Sequence, residues 1–88
     1  MEKAEISAHE VRVFRALGKD WKTAADVAAA AKVAGRTARL HCSRFVELGI
    51  ADVERVFPGH RYRAAAVKTL KGREYMVRMR SAIEAFGI

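Results

Sequence analysis

Apolar positions along the chain recur with a helical period, then with a period of two, then helically again. In residues 7–17, Val11, Phe14 and Leu17 fall on one helical stripe, and Ser7 with Glu10 has the spacing of a capping box. Val13 lies off that stripe, placed to face a partner or a terminal helix. Gly18-Lys19-Asp20 reads as a turn, and Trp21-Lys22 leads through a very short strand into Thr23. Trp21 is read there as an anchor under the domain in preference to a ligand-stacking ring. Residues 23–31 predict a second helix, capped by Thr23 with Asp26 three residues on. Its alanines combine high helix propensity with a smooth surface on which another helix can lie close. Residues 32–35 interrupt the pattern, and a third helix spans 35–48. Gly49 supplies the left-handed residue that closes it.

After Gly49 the pattern turns two-fold. Residues 50–57 (IADVERVF) read as a strand, Pro58-Gly59-His60 as a turn, and residues 61–65 (RYRAA) as the returning strand, with Tyr62 pointing opposite to Arg61 and Arg63. A last helix covers roughly residues 70–86. Met76, Met79, Ile83 and Phe86 form its apolar stripe, continuing Leu70, and Lys68, Lys71, Arg73, Arg78 and Arg80 make the remaining surface strongly basic.

The third helix has two unlike sides. Ala38, His41, Cys42, Phe45 and Leu48 form a mainly apolar face suited to packing on the alanine-rich helix before it. Arg36, Arg39, Leu40, Ser43 and Glu47 form the other. Two arginines near a helix N-terminus are placed as in a recognition helix. Arginine suits both a bidentate contact to guanine and a phosphate, and Leu40 between them suits a thymine methyl.

Charge strengthens that reading. The 88 residues form one domain with a net charge of +7, and a sequence pI of about 10.2 points to an anionic partner, nucleic acid before membrane headgroups. Cys42 is the single cysteine, so there is neither a disulfide framework nor a cysteine-rich zinc pattern. The first residues are charged and unlike a secretory signal, and no apolar run approaches a membrane span. The expectation is a cytoplasmic, nucleoid-associated protein.

A helix pair followed by a basic-rimmed hairpin is the arrangement of a winged helix. His60, Arg61 and Arg63 are its candidate phosphate contacts, with Arg55 across the hairpin a weaker one. Residues 23–63 resemble the winged helix-turn-helix domain of prokaryotic transcription regulators, a superfamily that includes arsenic-repressor-like and multiple-antibiotic-resistance-regulator-like branches. The resemblance rests on the run from Thr37 to Ile50 and on Pro58-Gly59 followed by Arg61-Tyr62-Arg63. Thr37, Leu48, Gly49 and Ile50 keep the family rhythm, while Cys42 and Phe45 stand where aliphatic residues are commoner. The resemblance implies a mainly α fold with a small β-hairpin: a three-helix core, a two- or three-stranded wing and a C-terminal helix. It also implies binding of double-stranded DNA through Arg36, Thr37, Arg39 and Ser43, with Thr23 and Leu40 among the candidate contacts and His60, Arg61 and Arg63 in support.

The last helix has three readings: packing back on Val11 and Phe14, a homodimer seam through Leu70, Met76, Met79, Ile83 and Phe86, or a surface for anionic lipid. The narrow stripe disfavours the lipid. No catalytic site is expected, because neighbours such as His41 and Cys42 point about 100° apart on a helix and the three histidines are scattered over different elements. No metal or cofactor is expected either. The resulting expectation is a sequence-specific DNA-binding regulator acting as a homodimer. The alternatives are an architectural, replication- or partition-linked DNA binder, and a winged-helix protein-interaction module.

Overall fold

The computed structural model describes residues 6–87; residues 1–5, which the sequence reads as a frayed start before the first helix, lie outside them. The elements run α1 (Ala8–Ala16), β1 (Lys22–Thr23), α2 (Ala24–Ala31), α3 (Gly35–Leu48), β2 (Ala51–Glu54), β3 (Arg61–Ala64) and α4 (Leu70–Phe86). The strands form one antiparallel sheet in the order β1-β3-β2. Three helices packed together, a three-stranded sheet ending in a hairpin, and a closing fourth helix make the winged-helix architecture that the sequence predicts.

Local chemistry sets the boundaries. Thr23 caps α2 with a complete capping box: its hydroxyl accepts from Asp26 N–H at 3.1 Å, and the Asp26 carboxylate accepts from Thr23 N–H at 3.4 Å. Ser7 caps α1 by accepting from Glu10 N–H at 3.1 Å. The return half of that second box is absent, because the Glu10 carboxylate takes the hydroxyl of Tyr75 from α4. A buried phenol needs an acceptor, and Glu10 supplies it. Between α2 and α3 the turn is made by Lys32, whose φ of 59° is left-handed, and Gly35 opens α3 at the predicted boundary. Gly49 closes α3 at φ 80°, as expected.

Phe45 stands at the centre of the core. It meets Phe14 of α1 edge-on at 5.8 Å, Tyr75 of α4 at 6.0 Å and His41 of its own helix at 6.4 Å. Val11, Val13, Val27, Cys42 and Met79 are fully enclosed around it. Val13 therefore belongs to the core and not to a partner, while Phe14 is half-buried. The reason is that α1 is packed against α2, α3 and α4 and so buries more than one stripe.

The C-terminal helix divides differently from its predicted seam. Met79 is fully buried within the chain, and Met76 and Ile83 are half-buried against the same core. At about 100° per residue Leu70 lies about 180° from Met79, and it is 70% exposed. Leu70 therefore does not continue that stripe. Tyr75, absent from the predicted stripe, is buried instead.

Candidate nucleic-acid interface

The two sides of α3 separate as their spacing requires. Ala38, His41, Cys42 and Phe45 are buried, whereas Arg36, Arg39, Leu40, Ser43 and Glu47 are all exposed. Leu40 keeps 58% of its surface in solvent, a large apolar side chain next to Arg39 in sequence and one turn on from Arg36. Thr37 is half-buried, beside the start of the packing face. Arg36 and Arg39 form no ion pair among the described residues. Arg44, outside the predicted contact set, is a further exposed cation on this helix.

The wing presents basic residues of two kinds, paired and unpaired with a carboxylate across the ladder. In β2 and β3, Asp52 lies opposite Arg63 and Glu54 opposite Arg61, so each arginine has a carboxylate directly across the ladder. Arg61 Nη2 is 2.6 Å from Glu54 Oε1, and Arg63 Nε is 3.4 Å from Asp52 Oδ2. The Arg63 guanidinium also lies over the Trp21 ring at 4.4 Å. Trp21 is half-buried beside β1. Arg55 and His60 are exposed and stand outside these pairs. Thr23 is half-buried, and its hydroxyl is engaged as the α2 cap.

The wing tip departs from the predicted strand. β2 stops at Glu54, because Glu54 is the last residue opposite β3, and residues 55–60 form the connecting loop. Phe57 is consequently 95% exposed at the tip, and Val56 is 37% exposed. Apolar alternation carries the strand reading through Phe57, while the Pro58-Gly59 pair after it is the signal that places the ring on a loop.

Two groups beneath this surface bear on its chemistry. Burial is the main cause holding the His41 imidazole below its ordinary value; Glu10 opposes it, and Arg44 and His9 add to it. Its Nδ1 has no hydrogen-bond partner among the described residues. Burial pushes the Cys42 thiol up to about 11, so at neutral pH it is protonated and a poor nucleophile. Among the described residues no three of His, Cys, Asp and Glu gather as a metal set. No helix among them is long and apolar enough to cross a membrane.

No protein-family profile and no curated protein matches the chain. Among solved structures it is similar to two variants of ZitR from Lactococcus lactis. One is 9% identical with a TM-score of 0.59 over 99% of this chain, and the other 9% identical with a TM-score of 0.58 over 97%. The chain spans 62% and 60% of those two chains. It is also similar to human N-acetylserotonin methyltransferase in complex with SAM, at 19% identity and a TM-score of 0.56, covering 92% of this chain and 32% of that one. At such identities the likeness concerns the fold, and the fold it establishes is the winged helix.

Proposed function

We propose that the chain is a sequence-specific double-stranded DNA-binding protein, a small transcriptional regulator that acts as a homodimer and not as an enzyme. In this reading α3 lies in the major groove and the wing meets the backbone or minor groove. The observation that carries it is the division of α3. One helix keeps Arg36, Arg39, Leu40 and Ser43 together in solvent while its opposite side is sealed into the core. Phosphate contacts from arginine and lysine supply most of the affinity, and the Arg36 to Ser43 face supplies the base preference. The likeness to ZitR, a winged-helix regulator, supports the same reading. The likeness to part of a methyltransferase shows that the fold alone does not decide the function. Nucleoid association follows from DNA binding and belongs to the same proposal.

Selection from random-sequence duplexes at two salt concentrations tests it. Enrichment of an inverted repeat with half-sites about one helical turn apart supports the dimeric regulator. Salt-sensitive binding without enrichment makes the chain an architectural binder, and no duplex binding at low salt leaves a protein-interaction module. On the selected site, Arg39→Ala should lose about 1–3 kcal/mol and relax the preference at one base pair. Equal weakening on every sequence would place Arg39 on phosphate alone.

A further inference from the structure

The wing ends in an aromatic side chain that the folded chain does not use. Phe57 is 95% exposed, with Val56 behind it at 37%, and neither belongs to the core or to the half-buried residues packed on it. Single exposed apolar residues are ordinary. This one sits where the charge is unbalanced. Asp52 and Glu54 at the base of the wing are paired with Arg63 and Arg61, while residues 55–60 contain Arg55 and His60 and no carboxylate. The loop carries an exposed ring between two exposed basic residues in sequence.

We propose that Phe57 is an apolar wedge that enters between adjacent base pairs of duplex DNA from the minor groove and kinks the duplex there. The proposal rests on the DNA-binding reading above, and it adds a contact that neither α3 nor the wing arginines provide. Three observations favour a duplex as the occupant. A wedge needs a single apolar side chain at a projecting point, and the tip offers one ring. Binding to a lipid surface scales with buried apolar area, and Phe57 with Val56 is a small patch. Arg55, exposed two residues before the ring in the same loop, matches the phosphates that border a minor groove. The base of the hairpin is also braced, by the Arg61–Glu54 and Arg63–Asp52 pairs and by Arg63 over Trp21.

Because Phe57 is 95% exposed and outside the core, Phe57→Ala leaves the fold intact, and unchanged thermal unfolding verifies that. The probe is a short duplex enriched by selection, or random-sequence duplex if nothing is enriched. It is end-labelled to read bending and carries 2-aminopurine at successive steps outside the α3 contact. The intact protein should bend it by about 20–90° and raise the 2-aminopurine signal at one step for each wing. Phe57→Ala should lose both signals and bind about tenfold more weakly, in the range of one lost base–aromatic stack. Phe57→Leu should keep most of the bend. Equal bending by the intact protein and Phe57→Ala would overturn the wedge, as would weaker binding with no change in 2-aminopurine. Co-sedimentation with anionic vesicles that depends on Phe57, without a bend in DNA, would assign the ring to lipid and also overturn it. In these cases duplex binding itself survives. Failure of the intact protein to bind any duplex removes the DNA-binding reading and the wedge together.

Discussion

His41 carries an imidazole into the apolar side of α3, where its ring stacks on Phe45 and its Nδ1 has no hydrogen-bond partner among the described residues. Burial favours the neutral ring, and the charged neighbours act against one another: Glu10 raises its proton affinity, and Arg44 and His9 lower it. The unfolded chain takes up this proton near the ordinary value of about 6.5, and the folded chain takes it up only at lower pH. Protons therefore favour unfolding. The contribution to stability is fully present above about 6.5 and is lost as pH falls through the lower, folded value. Denaturation midpoints should be level above that pH and decline on the acid side, and His41→Leu should flatten the decline; an equally steep acid slope in that variant would assign it to other groups. Arg61 offers a second test at this scale. Its pair with Glu54 is well exposed on both sides, and such pairs contribute about 1 kcal/mol or less. Glu54→Gln should thus keep the hairpin, release the guanidinium for phosphate, raise duplex affinity a few-fold and steepen its salt dependence. Anisotropy titrations over a salt series would read both, and no change in either would place Arg61 away from the DNA.

At the scale of elements, α3 and α4 are joined by a short polar clasp. Thr69 Oγ1 donates to the Leu48 carbonyl oxygen at 2.9 Å and accepts from Gly72 N–H at 2.8 Å, so one hydroxyl caps α4 and closes the end of α3. The clasp requires close approach: a Cβ on Gly72 would lie 2.7 Å from the Leu48 carbonyl oxygen, a backbone atom that cannot swing away. Gly72→Ala should therefore cost about 1–3 kcal/mol by overpacking, despite alanine's better helix propensity. Chemical denaturation gives the sign directly, and a stabilised variant would mean that α4 can shift off α3. This clasp was not legible in the sequence, because Thr69 and Gly72 look like an ordinary helix start and their partner is 21 residues earlier in the Thr69 bond. The faces of α3 were legible, because helical period alone divides Arg36, Arg39, Leu40 and Ser43 from Ala38, His41, Cys42 and Phe45. The wing tip was not, because alternation runs on through Val56 and Phe57 after the pairing partners on β3 have ended. Val13 escaped for a tertiary reason: period identifies one buried stripe on α1, but a helix enclosed by three others buries more. Glu10 escaped similarly, since its role depends on a phenol 65 residues away.

At the scale of the molecule, the proposed homodimer needs a seam that a chain of 40 × 27 × 24 Å can offer. The stripe predicted as a dimer seam is largely spent inside the chain, with Met79 buried and Met76 and Ile83 packed on the core. Among its large apolar side chains α4 leaves Leu70 at 70%, Val77 at 62% and, at its C-terminal end, the predicted seam residue Phe86 at 45% in solvent; Leu70 and Val77 form the more exposed pair. Leu70 and Val77 are seven residues apart and so lie on nearly the same line of the helix. Exposed Arg73 and Arg80 flank that line, and a parallel alignment of two such helices would set like charges against each other. An antiparallel crossing spreads them apart, with the carboxylates of Glu74 and Glu84 available as opposing charges. If the homodimer forms through α4, then Leu70→Glu with Val77→Glu should halve the mass measured by light scattering. Because both sites are exposed, unfolding of the variant should stay close to that of the parent. DNA binding then separates the roles of fold and assembly: the variant should still occupy a single half-site through α3, but lose the tighter binding to an inverted repeat that linkage of two half-sites confers. Unchanged mass would move the seam away from Leu70 and Val77. Halved mass with unchanged preference for the repeat would show that the two chains meet on the DNA itself and not through α4.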